Sequence, residues 1–299
     1  MDLKALETFV WVAHLGGFRT AADRLNATQP AISARIAQLE EELGVRLFDR
    51  ESRRATLTEK GLNLLGYAER MLALRSEMVQ AVAEKGSMRG IIRLGVAESI
   101  VHTWLSRLVE RLHYLYPAVS LEIEVDTSFV MREELLAHQL DLAFLVGPIT
   151  EPQLKSVPLC SYELAWVASP SLPLPPEPVP LKDLARWPII TFSRNTRPYG
   201  AIQEMFSGGD MPAVRLFGNS SLATVVRMTL DGIGVSAIPP VIISRELTDG
   251  RLKVFQAEEP LPRLDFVAAY AKKPDSLMAA TIVSLAAEVA ATPTAGISL

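Results

Sequence analysis

The stretch from Gly16 to Gly44 constrains this chain of 299 residues more than any other part of it. Just before it, Leu3, Leu6, Phe9, Val10 and Ala13 recur at spacings of three and four, which is one face of a helix. Gly16-Gly17 ends that helix. Thr20 is a suitable cap for a short second helix over Ala21 to Leu25, and Asn26-Ala27 supplies a turn. A third helix is expected from Thr28 to Leu43, with Thr28 as N-cap and Pro30 in the first turn, where its missing N–H costs nothing. Ile32, Ile36, Leu39 and Leu43 form its inward stripe, and Gly44 closes it.

Two helices joined by so tight a turn, the second opening on small polar residues, form a helix-turn-helix, a motif whose second helix enters the DNA major groove. Turning Ile32, Ile36 and Leu39 inward leaves Gln29, Ser33 and Arg35 outside. They offer an amide, a hydroxyl and a guanidinium, the groups that pair with base edges. After Gly44, the stretch VRLFDRESRRATLT alternates apolar and polar residues around a charged turn and reads as a hairpin, or wing. Arg46, Arg50, Arg53 and Arg54 cluster there and suit phosphates or a narrow minor groove. With Asp49 and Glu51 among them, a solvated charged loop is the other reading of the wing alone.

Residues 27 to 50, ATQPAISARIAQLEEELGVRLFDR, followed by Arg53-Arg54 and LTEKG at 57 to 61, closely resemble the signature of the LysR family of transcriptional regulators. The resemblance implies that Gln29, Pro30 and Ser33 lie near the bases and that the wing arginines contact phosphates or the minor groove. The expected DNA-binding set is Thr28, Gln29, Pro30, Ser33, Arg35, Arg50, Arg53 and Arg54. One position departs from the pattern. Many members carry a basic residue where this chain has Ala34, and here the arginine is the next residue, which leaves open whether Arg35 touches a base or a phosphate.

From Thr58 to about Lys85 one long helix is expected, with Leu64-Leu65, Met71-Leu72 and Met78-Val79 recurring every seven residues. Such a repeat points to a partner helix. Arg75 interrupts it, so packing against the chain's own domain stays open from the pattern. The family resemblance implies dimerisation, as a homodimer or homotetramer, on an inverted-repeat duplex. RNA polymerase stays open as a further partner. The net charge of -4 argues mildly against nucleic acid until its distribution is considered, since the arginines concentrate in the wing.

Gly86 to Gly90 breaks the helix, and beyond it strands and helices alternate, which implies a parallel α/β sheet. Strands are expected at Ile91 to Val96, Ser120 to Val125, Asp141 to Val146 and Tyr162 to Ala168, with a helix from Ile100 to Tyr116 and another from Met131 to His138. The expected fold class is α/β behind an all-α-plus-wing domain: a winged helix-turn-helix over 1–58, a linker helix over 59–88 and an effector-binding domain over 89–299. The family resemblance implies that this last domain is periplasmic-binding-protein-like, with one lobe from 89–161 and 266–299 and the other from 162–265.

Ligands of open α/β sheets sit beyond the carboxyl ends of strands, often at helix N-termini. That rule selects Ser99, Thr127 with Ser128, the loop Ser193 to Tyr199, and Asn219 to Ser221. Any one hydroxyl could simply be a helix cap. The expected effector-binding set is Ser99, Thr127, Ser128, Thr196, Arg197 and Asn219, and the resemblance implies effector contacts at the first four. Arg194 and Arg197 suggest an organic anion, a carboxylate by preference, unless they face solvent or pair with Glu204 or Glu98. Whether Glu98 faces the cavity is left open by the sequence; if it does, it would repel an anion or pair with Arg197.

Enzymatic readings find little support. Gly218 to Leu222 is not a nucleophile elbow, Gly232-Ile233-Gly234 lacks the third glycine of a dinucleotide fingerprint, and the four histidines have no metal-ligand spacing. No cofactor and no metal are expected. The rival reading is an α/β enzyme or solute-binding domain with an ancillary DNA-binding module. A single cysteine, Cys160, fits a buried thiol in a cytoplasmic protein, and no apolar run is long enough to span a membrane.

Overall fold

The computed structural model describes residues 2–49, 55–82, 88–208, 211–271 and 276–292. The chain divides into two compact units, Met1–Ser87 with Lys272–Ala280, and Met88–Ala271 with Thr281–Leu299.

The first unit holds α1 (Leu3–Leu15), α2 (Phe18–Arg24), α3 (Gln29–Leu43) and α4 (Glu59–Val82). Asp2 caps α1 by accepting from the Ala5 amide at 2.6 Å. The second helix begins earlier than expected. Thr20 lies inside it, its hydroxyl donating back to the Gly17 carbonyl at 2.9 Å, because Phe18 is drawn into a T-shaped contact with Phe48 at 5.6 Å between centroids. Thr28 caps α3, accepting from the Ala31 amide at 3.4 Å, and Gly44 ends it in a left-handed conformation, φ 66°. Ile32, Ile36 and Leu39 are buried as expected, whereas Leu43, past the edge of the core, is exposed.

The two ends of the wing pair through Phe48 and Leu57, with the Asp49 amide donating to the Thr56 carbonyl at 2.8 Å. Its turn, with Arg50, Arg53 and Arg54, lies outside the described residues. Along α4 the seven-residue pattern resolves into two faces. Ala68 and Leu72 are buried in the core of this unit together with Phe9, Trp11 and Ile36, while Leu62, Tyr67, Met71, Leu74 and Met78 are exposed. A bond of 3.0 Å between His14 and Glu69 ties α1 to α4.

In chain order the second unit runs β1 (Arg89–Val96), α5 (Glu98–Val101), α6 (Leu105–Leu115), β2 (Ala118–Val125), α7 (Ser128–Leu136), β3 (Leu142–Val146), β4 (Leu154–Glu163) and β5 (Ala165–Ala168). It continues with α8 (Leu181–Leu184), β6 (Ile189–Phe192), α9 (Arg197–Met205), β7 (Leu216–Asn219), α10 (Leu222–Leu230) and β8 (Val235–Ile238). A 3₁₀ turn (Pro240–Ile243), α11 (Ser244–Thr248), β9 (Lys253–Phe255) and β10 (Arg263–Ala271) follow, and α12 (Leu277–Ala291) belongs to this unit from Thr281 on.

Among the described residues the strands form two five-stranded sheets, β2-β1-β3-β10-β4 and β7-β6-β8-β5-β9. Each is mixed rather than wholly parallel. β1 runs parallel to β2 and β3, but β10 returns antiparallel to β3 and β4, and β5 is antiparallel to β8 and β9. Lobe divisions at 161/162 and 265/266 would fall inside β4 and β10, so the sheets place the crossings at Leu164 and before Arg263. The strand expected at Tyr162 to Ala168 is therefore two strands in different sheets. Pro158 obscures β4 in the sequence; it is tolerated because β4 is an edge strand and the register shifts opposite it, between Phe266 and Val267. The helix expected at Ile100 to Tyr116 is broken after Val101, where Trp104 turns inward against Phe144, 5.4 Å between ring centroids.

Candidate functional site

On the first unit, α3 presents Thr28, Gln29, Pro30 and Ser33 to solvent, and Arg35 is half-buried. Ile32, Ile36 and Leu39 hold the opposite face against the core, which fixes the helix orientation and leaves the polar side free for a groove. The wing is pinned to this helix by Glu40, whose carboxylate accepts from the amides of Leu47 at 2.7 Å and Phe48 at 3.2 Å. Arg46, at the start of the wing, is exposed.

On the second unit, all six expected effector residues, Ser99, Thr127, Ser128, Thr196, Arg197 and Asn219, line a single cleft of about 740 Å³. That volume suits a small organic ligand. Ser99 and Thr127-Ser128 come from the first sheet's side, where the strand ends of β1 and β2 open into α5 and α7. Thr196 follows β6 and Asn219 ends β7 on the other side. Apolar surface from Val125, Phe129, Val146, Phe192, Leu264 and Phe266 fills the space between the polar groups.

The hydroxyls do different work. Thr127 caps α7, accepting from Val130 at 3.5 Å, and Ser128 accepts the Val146 amide at 2.9 Å, which ties α7 to the end of β3. Thr196 stands at the N-cap of α9 without capping it; its hydroxyl donates to the Ser193 carbonyl at 2.6 Å. Ser221 caps α10 through the Thr224 amide at 3.3 Å, and the Asn219 side chain accepts from the Ser221 amide at 2.8 Å. Ser99 is buried.

Of the two arginines, only Arg197 lines the cleft. Arg194 lies outside the lining, its guanidinium 5.9 Å from the Tyr199 ring centroid. Glu98 does face the cleft, but it does not pair with Arg197. Its Oε2 accepts from the Leu222 amide at 2.6 Å and its Oε1 from Ala223 at 3.3 Å. Asp126 and Arg132 were missed. Arg132 follows Ser128 by one helical turn, so its place on the same face was readable. It sits 3.4 Å from Glu151, and its buried Nε has no partner among the described residues. Away from the cleft, Cys160 is partly rather than fully buried, and burial still pushes its thiol above the ordinary range.

Comparison with known proteins assigns both halves. The model for the bacterial regulatory helix-turn-helix protein of the lysR family matches residues 3–62, and that for the LysR substrate binding domain matches residues 85–291. The HTH-type transcriptional regulator PtxR of Pseudomonas aeruginosa is 31% identical over 275 residues, covering 90% of this chain and 86% of that protein. GltR of Bacillus subtilis, also an HTH-type transcriptional regulator, is 27% identical over 253 residues, covering 85% of this chain and 84% of that one.

Among solved structures, a full-length OxyR variant from Pseudomonas aeruginosa superposes with a TM-score of 0.67 at 22% identity, over 99% of this chain and 96% of the other. Full-length LysG from Corynebacterium glutamicum, with bound effector Arg, superposes at 0.62 and 18% identity, over 97% and 98%. At such identities the likeness shows the fold. With the helix-turn-helix on the first unit and the effector-type cleft on the second, the chain belongs to the LysR family of DNA-binding transcriptional regulators.

Proposed function

We propose that residues 1–58 read an inverted-repeat duplex, that the helix over 59–88 pairs two copies, and that the remainder binds a small organic anion which alters transcription. The observation that carries the effector reading is the convergence of six residues, chosen one by one from helix starts and strand ends, on one cleft. An anion is favoured by Arg197, which lines that cleft with no carboxylate partner among the described residues, and by α9, whose N-cap residue Thr196 makes no side-chain capping bond. The exposed apolar face of α4 supports pairing of copies. Thr28, Gln29, Pro30, Ser33 and Arg35 are proposed at the groove, with Arg50, Arg53 and Arg54 at phosphates.

The protein acts by binding and not by catalysis in this reading, within the cytoplasm. No group of His, Cys, Asp and Glu among the described residues could hold a metal ion, and no described helix is long and apolar enough to cross a membrane. The test is a panel of small organic acids scored by shifts in melting temperature. Some acids should stabilise the wild type, and the response should disappear in Thr196→Ala and Arg197→Ala; variants that respond normally would move the site elsewhere.

A further inference from the structure

The N-terminus of α10 is already occupied by an anion, and that anion belongs to the protein. The free amides at the start of a helix attract negative charge. In α10 the Leu222 amide donates to Oε2 of Glu98 at 2.6 Å, and the Ala223 amide donates to Oε1 at 3.3 Å. The Ser221 hydroxyl reaches the same Oε1 at 3.5 Å, and the Thr224 amide is taken by that hydroxyl at 3.3 Å. His102 Nε2 lies 3.6 Å from Glu98 Oε1 on the other side, and the Glu98 side chain is only 20% exposed. Glu98 belongs to α5, beside the first sheet, and α10 packs on the second, so the contact ties the two lobes along the lining of the cleft.

We propose that Glu98 is a specificity-determining residue which supplies one carboxylate of the cleft from within the chain. The claim rests on the anionic-effector reading above. A ligand brings a single anionic group, placed at the side of Arg197, and an apolar body that lies on surfaces such as Phe129 and Phe266. A second carboxylate at the far end would meet the fixed charge of Glu98 and find the α10 amides taken, so dicarboxylates are rejected. Because three donors hold Glu98 in a site largely shielded from water, an effector does not displace it.

The test uses the full-length protein and the variants Glu98→Ala and Glu98→Gln. Sodium formate, compared with sodium chloride at equal ionic strength, reports on the wild type only through the Arg197 side of the cleft, which both proteins keep. It should raise the melting temperature of Glu98→Ala more than that of the wild type by refilling the vacated position. An equal response in both proteins would overturn the assignment of Glu98 as the built-in anion. Benzoate and terephthalate then probe selection. The wild type should bind benzoate in preference, and the ratio of the two dissociation constants should shift toward terephthalate by about tenfold or more in both variants.

An unchanged ratio in Glu98→Gln, which keeps the side-chain shape, would overturn the selective role even if Glu98→Ala fails to fold. Failure of the wild type to bind benzoate or any acid of the wider panel would overturn the anionic-effector reading instead. The formate comparison would still decide whether Glu98 is the anion of α10.

Discussion

Oε1 of Glu40 accepts the backbone N–H of Leu47 at 2.7 Å, so one carboxylate on the recognition helix sets where the wing begins. The same oxygen also accepts from Phe48 at 3.2 Å, whose ring lies 5.5 Å from that of Phe9. Helix, wing and core are thereby held in one arrangement.

Glu40→Ala leaves both amides without this acceptor in a partly buried place. We expect a loss of about 2–3 kcal/mol in urea unfolding of the N-terminal unit, as for hydrogen bonds to charged groups. Glu40→Gln retains an acceptor and should lose less. Equal stabilities of Glu40→Ala and wild type would mean that the wing is held by its apolar contacts alone.

Two glycines of α4 give opposite expectations. A Cβ on Gly61 would run into the Leu47 carbonyl oxygen and the Leu57 side chain, whereas one on Gly66 would meet nothing within 4 Å. Gly61→Ala should cost about 1–3 kcal/mol through overpacking, and Gly66→Ala should gain about 0.5–1 kcal/mol from helix propensity. Thermal melts of the two variants side by side decide this.

Glu134 is held above the ordinary carboxylate value of 4.5, first by desolvation and then by the charges of Glu124 and Asp126. Its Oε2 is buried without a partner among the described residues. The folded protein therefore binds this proton more tightly than the unfolded chain. Stability from the neutral form is fully present below 4.5 and is lost as pH rises through the raised folded value. At neutral pH Glu134→Gln should melt above the wild type, and the difference should shrink as pH falls toward 4.5. A difference that stays constant with pH would point to packing instead of charge.

The helix-turn-helix was legible because its determinants are local. The Thr28 cap, the stripe of Ile32, Ile36 and Leu39, and the left-handed Gly44 all lie within one helix and its ends. The gathering of these six residues along one cleft was legible from helix starts, since four strand ends, those of β1, β2, β6 and β7, place them. What escaped depends on distant partners. The early start of α2 follows from a contact between Phe18 and Phe48. The break after Val101 follows from Trp104 meeting Phe144. Glu98 found its donor at Leu222, 124 residues along the chain, and no periodicity reports a pairing of that kind.

The alignment of Gln29 and Ser33 on the open face of α3 leads to an expectation about selectivity. Gln29→Ala should lower discrimination between cognate and unrelated duplexes by about 1–3 kcal/mol, the worth of a good base pairing, with little loss of non-specific affinity. Replacing Arg53 and Arg54 by alanine should weaken both kinds of binding and flatten the salt dependence. Titrations at several salt concentrations separate the two effects.

The central claim is that this chain reads DNA as a symmetric pair of recognition helices, and footprinting on genomic fragments selected by the purified protein tests it most directly. The account predicts protected sites built on an inverted repeat with half-sites about one helical turn apart, and loss of that selectivity in Gln29→Ala. Selected fragments with no shared symmetry, bound equally by the wild type and by Gln29→Ala, would contradict it.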